Sequence, residues 1–359
     1  MPSSVSERIK LYYAENEGRV AAVFFAGGFI FDLFTTGRID SWLVIGQQLV
    51  YLAVVMLALT QMILEEGAPP RELAGAAALK RWYFEYRTAV LHFLLGSLLS
   101  LYAIFFFKSS SLFASFGFLA VLVALLLANE LPRFRSLGLS FKFALLGLCW
   151  LSFFAYVIPI LVGSLGTGVF LLSMLAGCVP LAAVALAVPL ARRKILLPMG
   201  CVLAGFLGLY FFRLIPPVPL SIPFIGVYHG VERSADVYVL SHERPWWRVW
   251  HNGDQQFSAQ PGDKVHVYFR VFSPTRFSDQ ILMRWYRKDG RWALQDTIPI
   301  RIVGGREAGF RGYGVKANFQ PGAWKVQVET VDGREIGRVY FDLEIAEPAP
   351  RSFQLEPDA

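Results

Sequence analysis

The sequence predicts a membrane protein in two parts, an all-α bundle of seven transmembrane helices followed by a C-terminal all-β, Ig-like sandwich. Two observations lead to this fold class. Of 359 residues, 55% are hydrophobic and only 17% are charged, and the long apolar runs lie in the first two thirds of the chain, as in a membrane protein with a water-soluble appendage. The last third alternates apolar and polar residues, which is the period of a β-strand.

Seven apolar runs approach the length of about 20 residues with which a helix crosses a bilayer. The fifth and sixth runs are divided by Gly163 to Gly168, a small and flexible insert that is typical of a turn. Residues 1–19 are polar, and no cleavage-site pattern follows the first run, so we expect that run to remain as an anchor. The predicted spans are 20–36, 42–64, 88–107, 112–129, 143–163, 168–191 and 195–214.

Basic residues set the predicted orientation, because Lys and Arg in short loops concentrate on the cytoplasmic side. Counted in alternation, one side of the membrane collects thirteen basic residues, and the other collects three, Arg38, Lys108 and Arg213. The N-terminus is therefore predicted to be cytoplasmic. With seven spans, the C-terminal domain lies on the outer side.

The net charge of +7 belongs mostly to the membrane half. Up to residue 223 there are 16 Lys and Arg against 10 acidic residues, and after it 18 against 17. Nucleic-acid binding needs positive charge clustered on one face. The expected partners are therefore membrane lipids and not nucleic acid.

The first helical hairpin carries charges that a bilayer tolerates poorly. Asp32 lies in the outer third of the first span, and Arg38 and Asp40 lie in the turn that follows. A carboxylate inside a bilayer is costly and often functional, but an adjacent arginine neutralises it. A structural cap of the hairpin and an outward-facing site for a ligand, a proton or a lipid headgroup both stay open. The candidate polar site comprises Asp32, Arg38, Asp40, Gln47, Lys108 and Arg213.

Domain boundaries follow from proline content and from the change of period. Four prolines within 215–223 favour an extended connector, and 215–234 is assigned to a linker. Residues 235–346 are predicted to form about seven strands, one of them at Trp246–Trp250, with Lys-Asp-Gly at 288–290 and Val-Asp-Gly at 331–333 as hairpin turns. Residues 347–359, rich in Pro and Glu, are expected to be disordered.

Two stretches of the β-domain contain more aromatic, basic and glycine residues than the core of a β-sandwich needs. Residues 244–250, Arg-Pro-Trp-Trp-Arg-Val-Trp, place aromatic rings beside arginines, together with Trp285, Tyr286 and Trp292. Residues 304–316 combine glycines with basic residues. Aromatic faces beside arginines bind sugar rings or extended peptides. The opposing interpretations are that the tryptophans form the core and that Arg306 and Arg311 pair with acids such as Glu307. The predicted binding patch is Trp285, Arg306, Arg311, Tyr313 and Lys316.

Two sets of residues carry resemblances that together extend over most of the chain. They are Gly28, Asp32, Thr35, Arg38, Ile39 and Asp40 in the N-terminal half, and Trp285, Gly304-Gly-Arg306, Arg311-Gly-Tyr313, Lys316, Pro321-Gly-x-Trp324-Lys-Val, Asp332-Gly333 and Phe341 in the β-domain. On the second set the β-domain resembles a domain of unknown function found at the C-termini of proteobacterial envelope proteins. On the first set the N-terminal half resembles the opening of a multi-span family of unknown function to which that domain is joined. The resemblances imply an inner-membrane protein of Gram-negative bacteria with a periplasmic domain, and they imply no activity.

No stretch has a hydrolase motif, and the histidines lack the spacing of metal ligands. We therefore expect no metal, cofactor or catalytic residue. The predicted function is non-catalytic binding of an envelope glycan or protein by the periplasmic domain. The alternative is a lipid-handling enzyme or translocator that uses the Asp and Arg residues of the first hairpin.

Overall fold

The computed structural model describes residues 37–66, 78–110, 112–130, 137–234, 237–248, 250–306 and 309–358. The chain divides into two compact units. One unit contains most of the apolar helices. The other contains the β-strands together with residues 108–115 and 159–170.

Six helices are described in the apolar part of the chain. Five apolar stretches within them are long enough to cross a membrane, and the third helix holds a shorter one, Ser115–Leu127. Each predicted span from residue 42 onwards coincides with a described helix, whereas the first span, 20–36, lies outside the described residues. The helices are α1 (Trp42–Glu65), α2 (Ala78–Lys108), α3 (Leu112–Glu130), α4 (Leu139–Val162), α5 (Thr167–Ala187) and α6 (Arg192–Phe211).

Helices α2 and α4 are the most buried of the helical unit. Tyr102 and Phe105 of α2 contact Tyr156 of α4, with ring centres 6.4 and 5.3 Å apart. Helices α1, α5 and α6 leave most of their apolar side chains uncovered, including Leu57 and Leu175, which are each 67% exposed. Apolar surface of this extent is stable in lipid and not in water, so these helices have the character of membrane spans.

Two ion pairs join helix ends that the charge analysis assigns to one side. Arg87 of α2 pairs with Glu65 at the end of α1, and Lys194 at the start of α6 pairs with Glu66. Arg87 and Lys194 therefore lie at the same end of the helical unit, beside the end of α1.

Eleven strands form three sheets, with orders β1-β5-β8, β4-β10-β9-β6-β7 and β11-β3-β2. All pairs are antiparallel except β4 with β10. The strands are β1 (Ser221–Tyr228), β2 (Gly230–Ser234), β3 (Val237–His242), β4 (Gln256–Ala259), β5 (Val265–Phe272), β6 (Ser278–Asp289), β7 (Arg291–Val303), β8 (Phe310–Lys316), β9 (Gly322–Thr330), β10 (Glu335–Ile345) and β11 (Gln354–Asp358).

Strand β5 lies at the centre of the β-domain. Its alternating Val265, Val267, Phe269 and Val271 are buried in one apolar core with residues of β6, β9 and β10, as the sequence period predicts. On its opposite face Tyr268 is buried with residues of β1 and β3. The five-stranded sheet and the sheet β1-β5-β8 therefore share a core. The sheet β11-β3-β2 covers the second face of β5.

The two predicted hairpin turns are confirmed. Gly290 joins β6 to β7 with φ of 63°, and Gly333 lies between β9 and β10 with φ of 83°. Both angles lie in the left-handed region that glycine adopts without a steric cost. The turn chemistry at 288–290 and 331–333 therefore fixes the register of both hairpins.

Three sequence predictions for this domain are wrong. The linker over 215–234 is too long, because β1 and β2 occupy 221–228 and 230–234. The disordered tail over 347–359 contains β11, which pairs with β3. Residues 246–250 form no strand among those described, since Pro245 and the turn after it interrupt the extended chain. Residues 235–346 accordingly contain eight described strands where about seven were predicted, and β1, β2 and β11 bring the described total to eleven.

The turn between α4 and α5 belongs to the same unit as the strands and contacts β6. The backbone carbonyl of Gly163 accepts a hydrogen bond of 2.9 Å from the Ser278 amide, and the Leu165 amide donates to the Asp279 carboxylate at 2.6 Å. Leu165 also packs against the main core. Gly163 has φ of 77°, and a Cβ there would lie 2.7 Å from the Arg276 carbonyl oxygen.

We predict that Gly163→Ala lowers the stability of the β-domain by about 1–3 kcal/mol, because it adds both backbone strain and a clash with backbone. Thermal unfolding of the purified chain in mild detergent, followed by tryptophan fluorescence, measures the effect. Gly168→Ala is the matched control, since no atom lies within 4 Å of a Cβ at that position. Equal midpoints for the two variants would contradict the prediction.

Candidate functional site

The structure describes part of the predicted polar site in the first hairpin. The guanidinium of Arg38 donates two hydrogen bonds of 3.0 Å to the Asp40 carboxylate, and the Gln47 amide donates to the Tyr51 hydroxyl at 2.9 Å. Asp32 lies outside the described residues. The two hydrogen bonds make a bidentate Arg–carboxylate pair immediately before α1.

The other two members of that predicted site belong to the unit that contains the strands. Lys108 is the last residue of α2. Arg213 lies against the β9–β10 turn, where a Cβ on Gly333 would be 2.8 Å from the guanidinium carbon. Burial raises the pKa of Glu329 in the adjacent strand, with Arg284 and then Arg213 opposing that rise. Arg213 therefore has a structural role in the β-domain.

The predicted binding patch is wrong for Trp285 and Lys316. Trp285 is fully buried and meets the Phe341 ring edge to face, with ring centres 6.5 Å apart. Lys316 is only 6% exposed, and its ammonium pairs with Asp296 and lies 5.4 Å from the centre of the Trp324 ring. Since side chains alternate across β8, Lys316 shares the inner face of this strand with Gly312 and Gly314.

The remaining members of the patch are exposed to different degrees. Arg311 and Tyr313 lie on the outer face of β8 near Tyr238, whose ring centre is 5.7 Å from the Arg311 guanidinium carbon. Arg306 is exposed in the loop before β8, and Glu307 lies outside the described residues. The structure thus brings Arg311 and Tyr313 together, without Trp285 or Lys316.

A second aromatic surface lies between β3 and β4, in residues 243–255, here called the tryptophan loop. Trp246, Trp247 and Trp250 are 80%, 50% and 65% exposed. The Arg248 guanidinium lies 5.0 Å from the Trp247 ring centre, and the rings of Trp247 and Trp250 are 5.8 Å apart. The interpretation of these tryptophans as core residues is therefore wrong, although it holds for Trp285 and Trp324, which are buried.

The tryptophan loop is fixed at its base by Asp254. Both carboxylate oxygens of Asp254 accept the Glu243 amide, at 3.0 and 3.1 Å, and its own amide donates to the Val227 carbonyl at 2.7 Å. The next residue, Gln255, accepts the Asp342 amide through its carbonyl at 2.8 Å. These bonds tie the loop to β1 and β10, so the exposed rings stand on a rigid support.

Two adjoining cavities form a groove beside this loop. The first, of about 240 Å³, is bordered by Glu243, Arg244, His251 and Asp254. The second, of about 330 Å³, is bordered by Lys288, Trp292, Trp324, Tyr340 and Asp342. Both are bordered by Arg248, Gln255 and Gln256. We call the continuous depression the aromatic groove.

The sheet side of the aromatic groove also combines rings with cations. The rings of Trp292 and Tyr340 lie 5.8 Å apart. The Lys325 ammonium lies 5.4 Å from the Trp292 ring centre and 4.2 Å from that of Tyr286. Burial lowers the pKa of Lys325, with Arg338 acting in the same direction. The surface at and around the aromatic groove therefore offers flat apolar rings, amide groups and a few positive charges.

The aromatic groove lies at the end of β6 opposite the one that contacts the Gly163 turn. Ser278 at the start of β6 binds that turn, while Lys288 near its end borders the groove. Ten residues of extended strand separate the two positions by roughly 30 Å. The groove is thus distant from the segment that joins α4 to α5.

Beneath the tryptophan loop, His229 is surrounded by carboxylates. Its Nε2 is 3.5 Å from Glu243 and 3.7 Å from Asp254, and its Nδ1 is 3.9 Å from Asp263. The ring stacks on Phe257 at 4.0 Å. Burial lowers the pKa of His229 to about 4, helped by the nearby Arg351 and opposed by Asp263, whereas burial raises the pKa of Asp254 to about 6.

The described residues contain no group of three or more His, Cys, Asp or Glu side chains that converge as metal ligands. The carboxylates around His229 are each used in protein contacts. Asp254 receives the Glu243 amide, and Asp263 receives Arg351 at 2.7 Å. This cluster therefore supports the base of the tryptophan loop.

Residues 278–343 match a family described as Protein of unknown function (DUF2914). The chain carries a DUF2914 domain. The match extends from the start of β6 to near the end of β10, so the DUF2914 domain contributes Lys288, Trp292 and Tyr340 to the aromatic groove. The tryptophan loop precedes the matched region. No curated protein matches the chain.

The sequence singles out Trp292 together with the 244–250 stretch, but it does not predict Tyr340, Gln255 or Gln256 of the aromatic groove as part of a site. Trp292 and Tyr340 belong to different strands, and only the pairing of β7, β6, β9 and β10 brings them together. The sequence did contain one signal for the tryptophan loop. Tryptophans at 246, 247 and 250 follow a proline and do not alternate, which is inconsistent with a half-buried strand.

We predict that Asp254→Asn makes the chain more sensitive to acid. A carboxyl with a raised folded-state pKa binds protons more strongly when folded, so it adds stability as the pH falls through about 6 towards the unfolded pKa. The lowered pKa of His229 has the opposite effect, because the unfolded histidine takes up the proton first. In the unsubstituted chain the two effects oppose one another.

Without Asp254 only the effect of His229 remains. Between pH 7 and pH 5 the free energy of unfolding of Asp254→Asn should fall by about 1 kcal/mol more than that of the unsubstituted chain. Urea unfolding in detergent at the two pH values measures this difference. Asp289→Asn, at the β6–β7 turn, is the control, and an identical pH dependence of all three chains would refute the assignment.

Proposed function

We propose that this chain is a seven-span membrane protein with a cytoplasmic N-terminus, and that its β-domain binds a glycan of the bacterial envelope in the aromatic groove without catalysing a reaction on it. In this proposal the domain lies in the periplasm, on the outer side of the inner membrane. The observation that carries the binding function is that two cavities share Arg248, Gln255 and Gln256, and that the rings of Trp292 and Tyr340 border the second.

The chemistry of the aromatic groove fits a sugar polymer. Sugar rings stack their C–H faces on aromatic side chains, and Trp247, Trp292 and Tyr340 supply such faces at or beside the groove. The amides of Gln255 and Gln256 can exchange hydrogen bonds with hydroxyl groups. Arg248 and Lys288 add charge-assisted bonds to any acidic substituent.

The membrane topology of this proposal is supported by charge and by helix count. Five apolar stretches among the described helices have the length and hydropathy of spans. In this proposal α3 is the sixth span, and the predicted span at 20–36 is the seventh. The Arg87–Glu65 and Lys194–Glu66 pairs lie at the end that is rich in basic residues. An odd number of spans places the β-domain opposite that end.

Binding to envelope glycans is expected to fail when a ring of the groove is removed. We expect Trp292→Ala to weaken the binding of soluble peptidoglycan fragments to the full-length chain in detergent by about tenfold, because stacking and ring burial together contribute more than 1 kcal/mol. Isothermal calorimetry measures the affinity. Trp246→Ala is the matched control, since Trp246 is 80% exposed and does not border either cavity.

If peptidoglycan fragments do not bind, oligosaccharides from other envelope polymers are to be compared in the same assay. Equal affinities of Trp292→Ala and Trp246→Ala for every glycan that binds would contradict the assignment of the groove. Binding of an envelope protein instead, lost in Trp292→Ala alone, would retain the groove and replace the glycan.

The proposed topology is tested by cysteine accessibility. In a chain whose native cysteines are replaced by alanine, Ala349→Cys should react with a membrane-impermeant thiol reagent in intact cells, because residue 349 is exposed in the β-domain. Phe84→Cys should react only after the cells are broken. Labelling of position 84 in intact cells would reverse the orientation.

A further inference from the structure

Strand β11 is an added edge strand whose contacts are mostly polar. Residues 354–358, Gln-Leu-Glu-Pro-Asp, pair antiparallel with β3, from Gln354 opposite His242 to Asp358 opposite Tyr238. The strand is at the edge of the sheet β11-β3-β2. Leu355 is 65% exposed, and among the described residues β11 supplies no side chain to either apolar core of the β-domain.

The carboxylates of β11 are held by cationic and polar groups of other strands. The Asp358 carboxylate lies 3.3 Å from Arg270 and accepts a hydrogen bond from the Tyr268 hydroxyl. The Asp358 carbonyl accepts a bond of 3.1 Å from Arg311. The Glu356 carboxylate lies 3.7 Å from both His242 and Arg244. Two acidic residues at alternate positions therefore face a basic surface.

This basic surface is built from elements that do not depend on β11. Tyr268 and Arg270 come from β5, Arg311 from β8, His242 from the end of β3, and Arg244 from the start of the tryptophan loop. Arg270 stacks on Phe224 at 5.0 Å and Arg311 on Tyr238 at 5.7 Å. The rings hold the guanidinium groups in place, so the surface persists when its ligand leaves. Removal of β11 would also open the backbone donors and acceptors of the β3 edge.

The segment before β11 is anchored independently. Arg351 donates to the Asp263 carboxylate at 2.7 Å and to the Ser258 carbonyl at 3.0 Å. Residues 347–350 are exposed and form no strand. The chain can therefore release 354–358 while it stays attached at Arg351.

From these contacts we propose that the β3 edge, together with Arg244, Arg270 and Arg311, is a binding site for an extended acidic peptide, and that residues 354–358 occupy it as an internal ligand. A partner segment with carboxylates two residues apart would add to β3 in their place. Main-chain bonds supply affinity in this mode of recognition and alternate side chains supply specificity. The site shares Arg244 with the border of the aromatic groove, whereas Arg270 and Arg311 belong to the β3-edge site alone, and this contact with β11 gives Arg311 a role.

The internal ligand determines how tightly a partner must bind in order to displace it. Because 354–358 are tethered, the partner competes with a high effective concentration of the same chemistry. Weakening the internal ligand should therefore strengthen the binding of an added peptide. This relation distinguishes a displaceable ligand from a structural strand.

The test uses the full-length chain in detergent and a fluorescent peptide with the sequence of residues 351–358. We expect saturable binding by fluorescence anisotropy that weakens as salt is raised. In the double variant Glu356→Gln, Asp358→Asn the peptide should bind about tenfold more tightly, since charge-assisted bonds of the internal competitor are lost. Leu355→Ser is the matched control and should leave the affinity of the peptide unchanged.

Hydrogen–deuterium exchange then locates the peptide. Addition of the peptide should speed exchange of the amides of 354–358 and leave those of β3 protected. A peptide in which the glutamate and aspartate are replaced by glutamine and asparagine should fail to bind. The proposal is overturned if neither the chain nor its double variant binds the acidic peptide, or if the neutral peptide binds equally well.

Discussion

Strand β5 has to be covered on both faces, and the arrangement of the β-domain follows from this constraint. Its valines and Phe269 are buried against the five-stranded sheet, and an ordinary sandwich would leave the opposite face to water. Here that face carries Tyr268, which is fully buried, and Arg270. Burial of the large tyrosine side chain contributes roughly 2 kcal/mol to the stability of the fold. This burial stabilises a further layer, the sheet β11-β3-β2, over that face of β5.

The same constraint places the two candidate binding surfaces. Because β3 covers β5, the chain must return from β3 to β4 across the end of the domain, and this return is the tryptophan loop. Asp254 fixes the return by accepting the Glu243 amide, and its burial beside His229 raises its pKa. The polar residues of β5 in turn give the basic surface that binds β11. One surface presents rings to solvent and the other presents arginines to an edge strand.

The membrane half is organised by different physics. There the apolar side chains do not have to be covered against water. Helices α2 and α4 pack through aromatic rings, whereas α1, α5 and α6 expose leucine and valine side chains. The charged residues lie at helix ends, where ion pairs such as Arg87 with Glu65 neutralise them. Arg38 and Asp40 form a pair of the same kind immediately before α1.

Local pattern in the sequence determined much of this protein. The apolar runs predicted the six described helices, the alternation in β5 and β9 predicted their buried faces, and the glycine turns predicted two hairpins, because each of these depends on residues near in the chain. Tertiary structure alone decided that Trp285 is buried in the core while Trp247 is exposed. It also decided that Lys316 pairs with Asp296 on the inner face of β8, while Arg311 binds β11 on the outer face. Such outcomes depend on which strands become neighbours. The pairing of β11 with β3 joins residues more than 100 positions apart, and no local period contains that information.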